Sequence, residues 1–173
     1  MSSRRDFLTA FRKPLKKIAD QEDEISLRPP YAVVDNFTEV CVNCDDKSCA
    51  TVCEESVIVI KADGTPILNF SKSGCTFCRE CANKCTLGVL RYDDDSSEEI
   101  NARFIISVND CVAHHGVICF SCKEPCIDNA ILFNGLFNPV IDTDLCTACG
   151  FCISRCPSKA ISYQPLSIRK EPV

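Results

Sequence analysis

The chain has no tryptophan, one methionine and only six glycines. Scattered as they are, those glycines form neither the GxGxxG turn of a dinucleotide site nor the Walker loop that cradles ATP phosphates. An enzyme with its own substrate site is therefore not expected. Long apolar runs are missing too. The longest pieces, such as SVIVI and FIISV, fall well short of the roughly 20 residues that cross a bilayer. The formal net charge of −5 argues against nucleic acid, which requires a basic face. What the chain does have is cysteine: sixteen in 173 residues. That fraction indicates either a disulfide scaffold or a metal protein, in a chain long enough for one ordinary domain or two small ones.

Spacing decides between them. The cysteines fall in four runs: Cys41, Cys44, Cys49, Cys53; Cys75, Cys78, Cys81, Cys85; Cys111, Cys119, Cys122, Cys126; and Cys146, Cys149, Cys152, Cys156. The second and fourth runs read CxxCxxCxxxC, and the fourth continues into Pro157, which is the bacterial 4Fe-4S pattern. A cubane cluster is a large, soft ligand with four corners. Three thiolates on a tight loop cap three irons, and the fourth must approach from elsewhere, in two-cluster ferredoxins from the other run. Zinc sites usually draw ligands as separated pairs around one small ion, and cysteines crowded on a single loop cannot easily reach disulfide geometry. Four 4Fe-4S clusters are expected. The first run has four residues between its second and third cysteines, and the third run has seven between its first and second, so these two sites are the irregular ones. His114 and His115 lie within the long loop of the third run; with four cysteines already present they read as loop histidines rather than ligands.

A repeat is visible when CEESVIVIKADGTPILNF is laid on CIDNAILFNGLFNPVIDT, and CTFCRECANKCTLGVLRY on CTACGFCISRCPSKAISY. Runs one and two make one copy, runs three and four the second, with the acidic DDDSSEE at 93–99 between them. Within each copy, short branched segments predict strands and the cysteine runs predict loops with a turn or two of helix. Hairpins are expected for 57–60 with 66–70 and for 130–133 with 140–143, and a strand for 104–108. The fold class expected is α+β: two tandem bacterial-type ferredoxin (βαβ)2 modules with large irregular cluster-binding loops. The boundaries are a basic N-terminal arm and linker at 1–30, modules at 31–95 and 96–165, and a tail at 166–173. This repeat favours exchange of fourth cysteines between runs one and two and between three and four, while exchange between one and four stays open.

Residues 1–30 carry seven of the nineteen basic residues and no cysteine. SRRDF resembles the start of a twin-arginine export signal. The next segment, TAFRKPLKKIADQEDE, lacks the 7 to 15 residue apolar stretch of a working signal. The stretch reads instead as a docking arm, with Arg4, Arg5, Phe7 and Leu8 as candidate partner contacts, on a protein whose clusters suit the reducing cytoplasm. Four loaded sites, each adding about −2, would take the chain to about −13, which favours a basic docking surface on a partner.

SRRDFLTAF, then ISLRPPY, then SCKEPCIDNAILF and LCTACGFCISRCPSKAI together resemble the NapF family, ferredoxin-type proteins of the periplasmic nitrate reductase system. The widened first run departs from that pattern. The resemblance implies a cytoplasmic accessory protein that contacts the precursor of the molybdenum-containing catalytic subunit, and helps its maturation or supplies electrons before export. A monomer is expected. The alternative is a general low-potential electron carrier, or an electron-transfer subunit of another redox complex.

Overall fold

The computed structural model describes residues 26–33, 36–93 and 96–166. Residues 1–25 of the basic arm and linker, with Arg4, Arg5, Phe7 and Leu8, lie outside the described residues. In order come α1 (Phe37–Val42), α2 (Ser48–Thr51), β1 (Ile58–Ile60), β2 (Pro66–Leu68), α3 (Glu80–Asn83), β3 (Ala102–Ile106), a 3-10 turn (Val112–His115), β4 (Ile131–Asn134), β5 (Phe137–Ile141), α4 (Phe151–Arg155) and β6 (Ile161–Pro165). Helices this short do not persist alone in water. They are held by what packs on them.

β1 and β2 form an antiparallel hairpin with Ile58 opposite Leu68 and Ile60 opposite Pro66. Its turn is closed by Gly64 N–H donating to Lys61 C=O at 2.9 Å, with Gly64 at φ +89°, a conformation that glycine takes without steric cost. β4 and β5 form the second hairpin, with Ile131 opposite Ile141 and Leu132 opposite Val140. Its return strand begins earlier than the apolar pattern predicts, because the chain reverses directly after Asn134, through Gly135 at φ +66°. It also ends earlier, at Ile141, because the Asp142 carboxylate accepts the Asp144 amide at 3.0 Å and turns the chain.

The segments that enter and leave each half pair with each other. In the second half β3 runs antiparallel to β6 from Ala102–Pro165 to Ile106–Ile161. β3 stops short of the expected 108 because the Ser107 hydroxyl donates to Asp110 at 2.6 Å and opens the turn into the third cysteine run. In the first half the same pairing is reduced to one bridge, Ala32 with Leu90, flanked by Arg91 N–H to Tyr31 C=O at 2.9 Å.

One main core runs through both halves, including Phe37, Val57, Leu68 and Phe70 from the first and Phe104, Ile131 and Ile161 from the second. A smaller group of Cys111, Ala113 and Ala160 sits beside it. Phe70 crosses the boundary: its ring centroid lies 5.8 Å from Phe104 and 5.9 Å from Tyr163.

Candidate metal centres

All sixteen cysteines are free thiols, and they line four cavities in sets of four. The first cavity takes Cys41, Cys44 and Cys49 with Cys85. The second takes Cys75, Cys78 and Cys81 with Cys53. The third takes Cys111, Cys119 and Cys122 with Cys156. The fourth takes Cys146, Cys149 and Cys152 with Cys126. Each cavity thus receives three sulfurs from one run and the last sulfur of the adjacent run. The exchange joins runs one and two, and three and four. First and fourth runs share none of these four cavities.

The loops reach this arrangement through left-handed residues at repeated places. In the second run Phe77 and Arg79 have φ of +55° and +68°; in the fourth, Ala148 and Gly150 at the matching positions have +58° and +91°. The cysteines that follow these residues line the second and fourth cavities. After every fourth cysteine a further left-handed residue stands three places on: Ser56, Gly88, Asn129 and Lys159. Its amide donates to that cysteine's carbonyl, at 2.9, 3.1, 3.3 and 3.3 Å respectively. L-residues reach this region at a cost of roughly 1–2 kcal/mol, so its recurrence marks a backbone held by its surroundings.

The irregular runs find their own solutions. In the first, the four extra-spaced residues fold back, and the Lys47 ammonium, on a residue with φ +48°, donates to the carbonyls of Cys41 and Val42 at the end of α1. Cys49 is thereby returned to the cavity that holds Cys41 and Cys44. In the third run, the excess length is taken up by the 3-10 turn, with His114 Nε2 at 3.2 Å from Pro139 O and His115 Nε2 at 2.9 Å from Asn109 O. Both histidines bond backbone, and neither lines a cysteine cavity. Lys47 carries no signal in the spacing; it emerges only once the loop is folded.

Burial dominates the thiol chemistry. It pushes Cys49, Cys75 and Cys122 up to about 11 and Cys81 up to about 12, and Cys152 rises further still for the same reason. Those five thiols hold their protons at neutral pH, and ligation must expel them, so metal uptake is proton-linked. Backbone amides also reach the sulfurs: Phe77 N–H lies 3.4 Å from Cys75 Sγ, Leu90 N–H 3.3 Å from Cys85 Sγ, and Ala160 N–H 3.2 Å from Cys156 Sγ. The second cavity is closed by Tyr31 and Phe77, whose ties include Tyr31 Oη donating to Phe77 C=O at 3.2 Å and an edge-on contact of Tyr31 with Tyr92. Arg79 lies over Tyr92 at 3.9 Å and pairs with Glu98 at 2.6 Å.

Among the described residues, no three Cys, His, Asp or Glu side chains converge on a point that one ion could occupy. Four soft sulfurs around a broad apolar-walled space fit a polynuclear iron–sulfur group better than a single zinc. Among the described residues, no helix is long and apolar enough to cross a membrane.

Comparison with known proteins agrees with this donor set. Residues 139–162, which contain the fourth run, match the 4Fe-4S binding domain family. The ferredoxin-type protein NapF of Escherichia coli K12 is 30% identical over 145 residues, covering 81% of this chain and 85% of the relative. NapF of Haemophilus influenzae is 31% identical over 172 residues, covering 94% of each. The ferredoxin-type protein NapG of E. coli is 28% identical, covering 84% of this chain and 73% of the relative. A 4Fe-4S binding domain thus matches the stretch that carries the fourth run, and the chain belongs to the NapF family of ferredoxin-type proteins.

Proposed function

We propose that the chain is two tandem ferredoxin-type modules holding four 4Fe-4S clusters, acting in the cytoplasm as an accessory protein for the molybdenum-containing catalytic subunit of periplasmic nitrate reductase before its export. The observation that carries the cluster count is the four cavities, each ringed by four sulfurs. Family membership and the resemblance of the N-terminal stretch support the partner.

Bound at these sites, a 4Fe-4S group takes up and releases one electron. The chain supplies the rest. Sulfurs fix the four corners; Tyr31 and Phe77 line the second cavity and Phe104 and Ile131 the fourth, and exclude water there. The amides at Cys75, Cys85 and Cys156 and the Lys47 ammonium at the first cavity favour added negative charge. Cys78 is the exposed cysteine, which gives the second site one edge at the surface for exchange with a redox partner. That exposure also favours the second reading, a general electron carrier.

Replacing Lys47 with methionine is expected to move the first site to a more negative midpoint potential, because a positive charge favouring the reduced state is lost. Lys47→Arg should leave the potential near its original value. Equal effects of both variants in a redox titration would assign Lys47 to loop packing alone.

The accessory role is tested by co-purification with the catalytic-subunit precursor. Binding is expected, and deleting residues 1–18 should weaken it while iron content stays constant. Absence of binding by the full chain, together with electron shuttling between unrelated reductases and acceptors, would favour the general carrier instead.

A further inference from the structure

The two halves meet backbone to backbone at their cysteine loops. Cys75 N–H donates to Cys149 C=O at 2.6 Å. Both residues line inner cavities, Cys75 the second and Cys149 the fourth. The approach is close because the flanking residues are glycines. A Cβ on Gly74 would come 2.6 Å from Phe151 Cγ, and one on Gly150 2.5 Å from Phe70 Cε1.

The other adjacencies are set by chain connectivity. Cys49 lies in α2 with Cys53 just past its end, and Cys81 lies in α3 with Cys85 just past its end, so the first and second sites are adjacent. Cys122 and Cys126 share one turn, and Cys152 and Cys156 share α4 and its end, so the third and fourth are adjacent. The first cavity is lined entirely by residues 41–90 and the third by 106–161. Each is enclosed by its own half alone.

We propose that the Gly74–Cys75 and Cys149–Gly150 junction joins the four sites into one continuous electron path, in the order first, second, fourth, third. The halves are then not two independent carriers. The junction offers a through-bond link from Cys75 sulfur to its amide, across one hydrogen bond, and from the Cys149 carbonyl to its sulfur. One electron crossing it leaves one site oxidised by one and the other reduced by one; no bond is made or broken and no proton moves. The electron originates from a one-electron donor such as a reduced flavin or another reduced iron–sulfur protein. This order rests on the proposed four-site occupancy, and the experiment separates the two.

Cys44→Ala combined with Cys119→Ala removes one ligand from each outer site and leaves the junction intact. Iron should fall to about eight per chain. After anaerobic reduction with dithionite, the electron paramagnetic resonance spectrum should show broadening and splitting from two interacting centres. The converse variant, Cys78→Ala with Cys126→Ala, leaves only the outer sites and should give a sum of isolated signals. Should either fold poorly by circular dichroism, Cys49→Ser with Cys111→Ser, or Cys53→Ser with Cys146→Ser, removes the same sites through other ligands. An inner-site pair with eight irons and non-interacting spectra would overturn the junction. An iron content that does not halve would overturn the four-site reading and the order with it.

Discussion

Gly150→Ala is expected to destabilise the loaded protein by about 2–5 kcal/mol, from about 1–2 for the left-handed backbone and about 1–3 for overpacking. That is a large share of the roughly 5–15 kcal/mol holding an ordinary domain together. Backbone hand alone is not decisive, since Arg79 holds φ +68° at the matching place in the first half. What distinguishes Gly150 is the Phe70 ring against its α-carbon. Phe70→Leu in the same chain should therefore recover part of the loss. Thermal melting and iron content of anaerobic protein read the effect. An unchanged melting temperature would mean that Phe70 does not occupy that place in solution.

Removing Cys156 is expected to cost about four irons of about sixteen, and the site that loses them should belong to the third run. Double variants identify it. Cys119→Ala with Cys156→Ala should lose no more iron than either alone, because both line the third cavity. Cys149→Ala with Cys156→Ala should lose about eight irons, because the two line different cavities. Non-additivity of this kind reports a shared site. The mirror pair is Cys44 with Cys85, which share the first cavity. If Cys156 instead proves non-additive with Cys149, the fourth cysteine stays on its own run and the exchange fails.

Which residues foretell these features depends on how local the cause is. Three cysteines within seven residues are visible because the cluster imposes that spacing on a single loop, and the repeat emerges on aligning Cys53 with Cys126. The β1–β2 turn is legible from Asp63-Gly64. The β4–β5 turn is legible too, but its signal is Asn134-Gly135, not the alternation of apolar residues, and the apolar pattern places the return strand too late. Ser56 and Lys159 are left-handed with nothing in their side chains to announce it. Their backbone is dictated by the fourth cysteine three places before. Lys47 and the Cys75–Cys149 hydrogen bond are further from reach, since each joins residues whose proximity exists only after folding.

The junction between the halves also bears on how many copies can be joined. It is head to tail: Phe70 and Gly74 on one copy engage Gly150 and Phe151 on the next. A contact of this type has no twofold axis to close it, and two copies each carrying both faces would go on adding into a filament. The matching positions at the free ends are Thr143 for Phe70, Arg79 for Gly150 and Glu80 for Phe151, and all three are exposed. Where the ring should plug there is a hydroxyl, and where the bare backbone should receive it there is a guanidinium already paired with Glu98. Divergence of the two copies at these few positions takes from the outward-facing surfaces the fit that the junction uses.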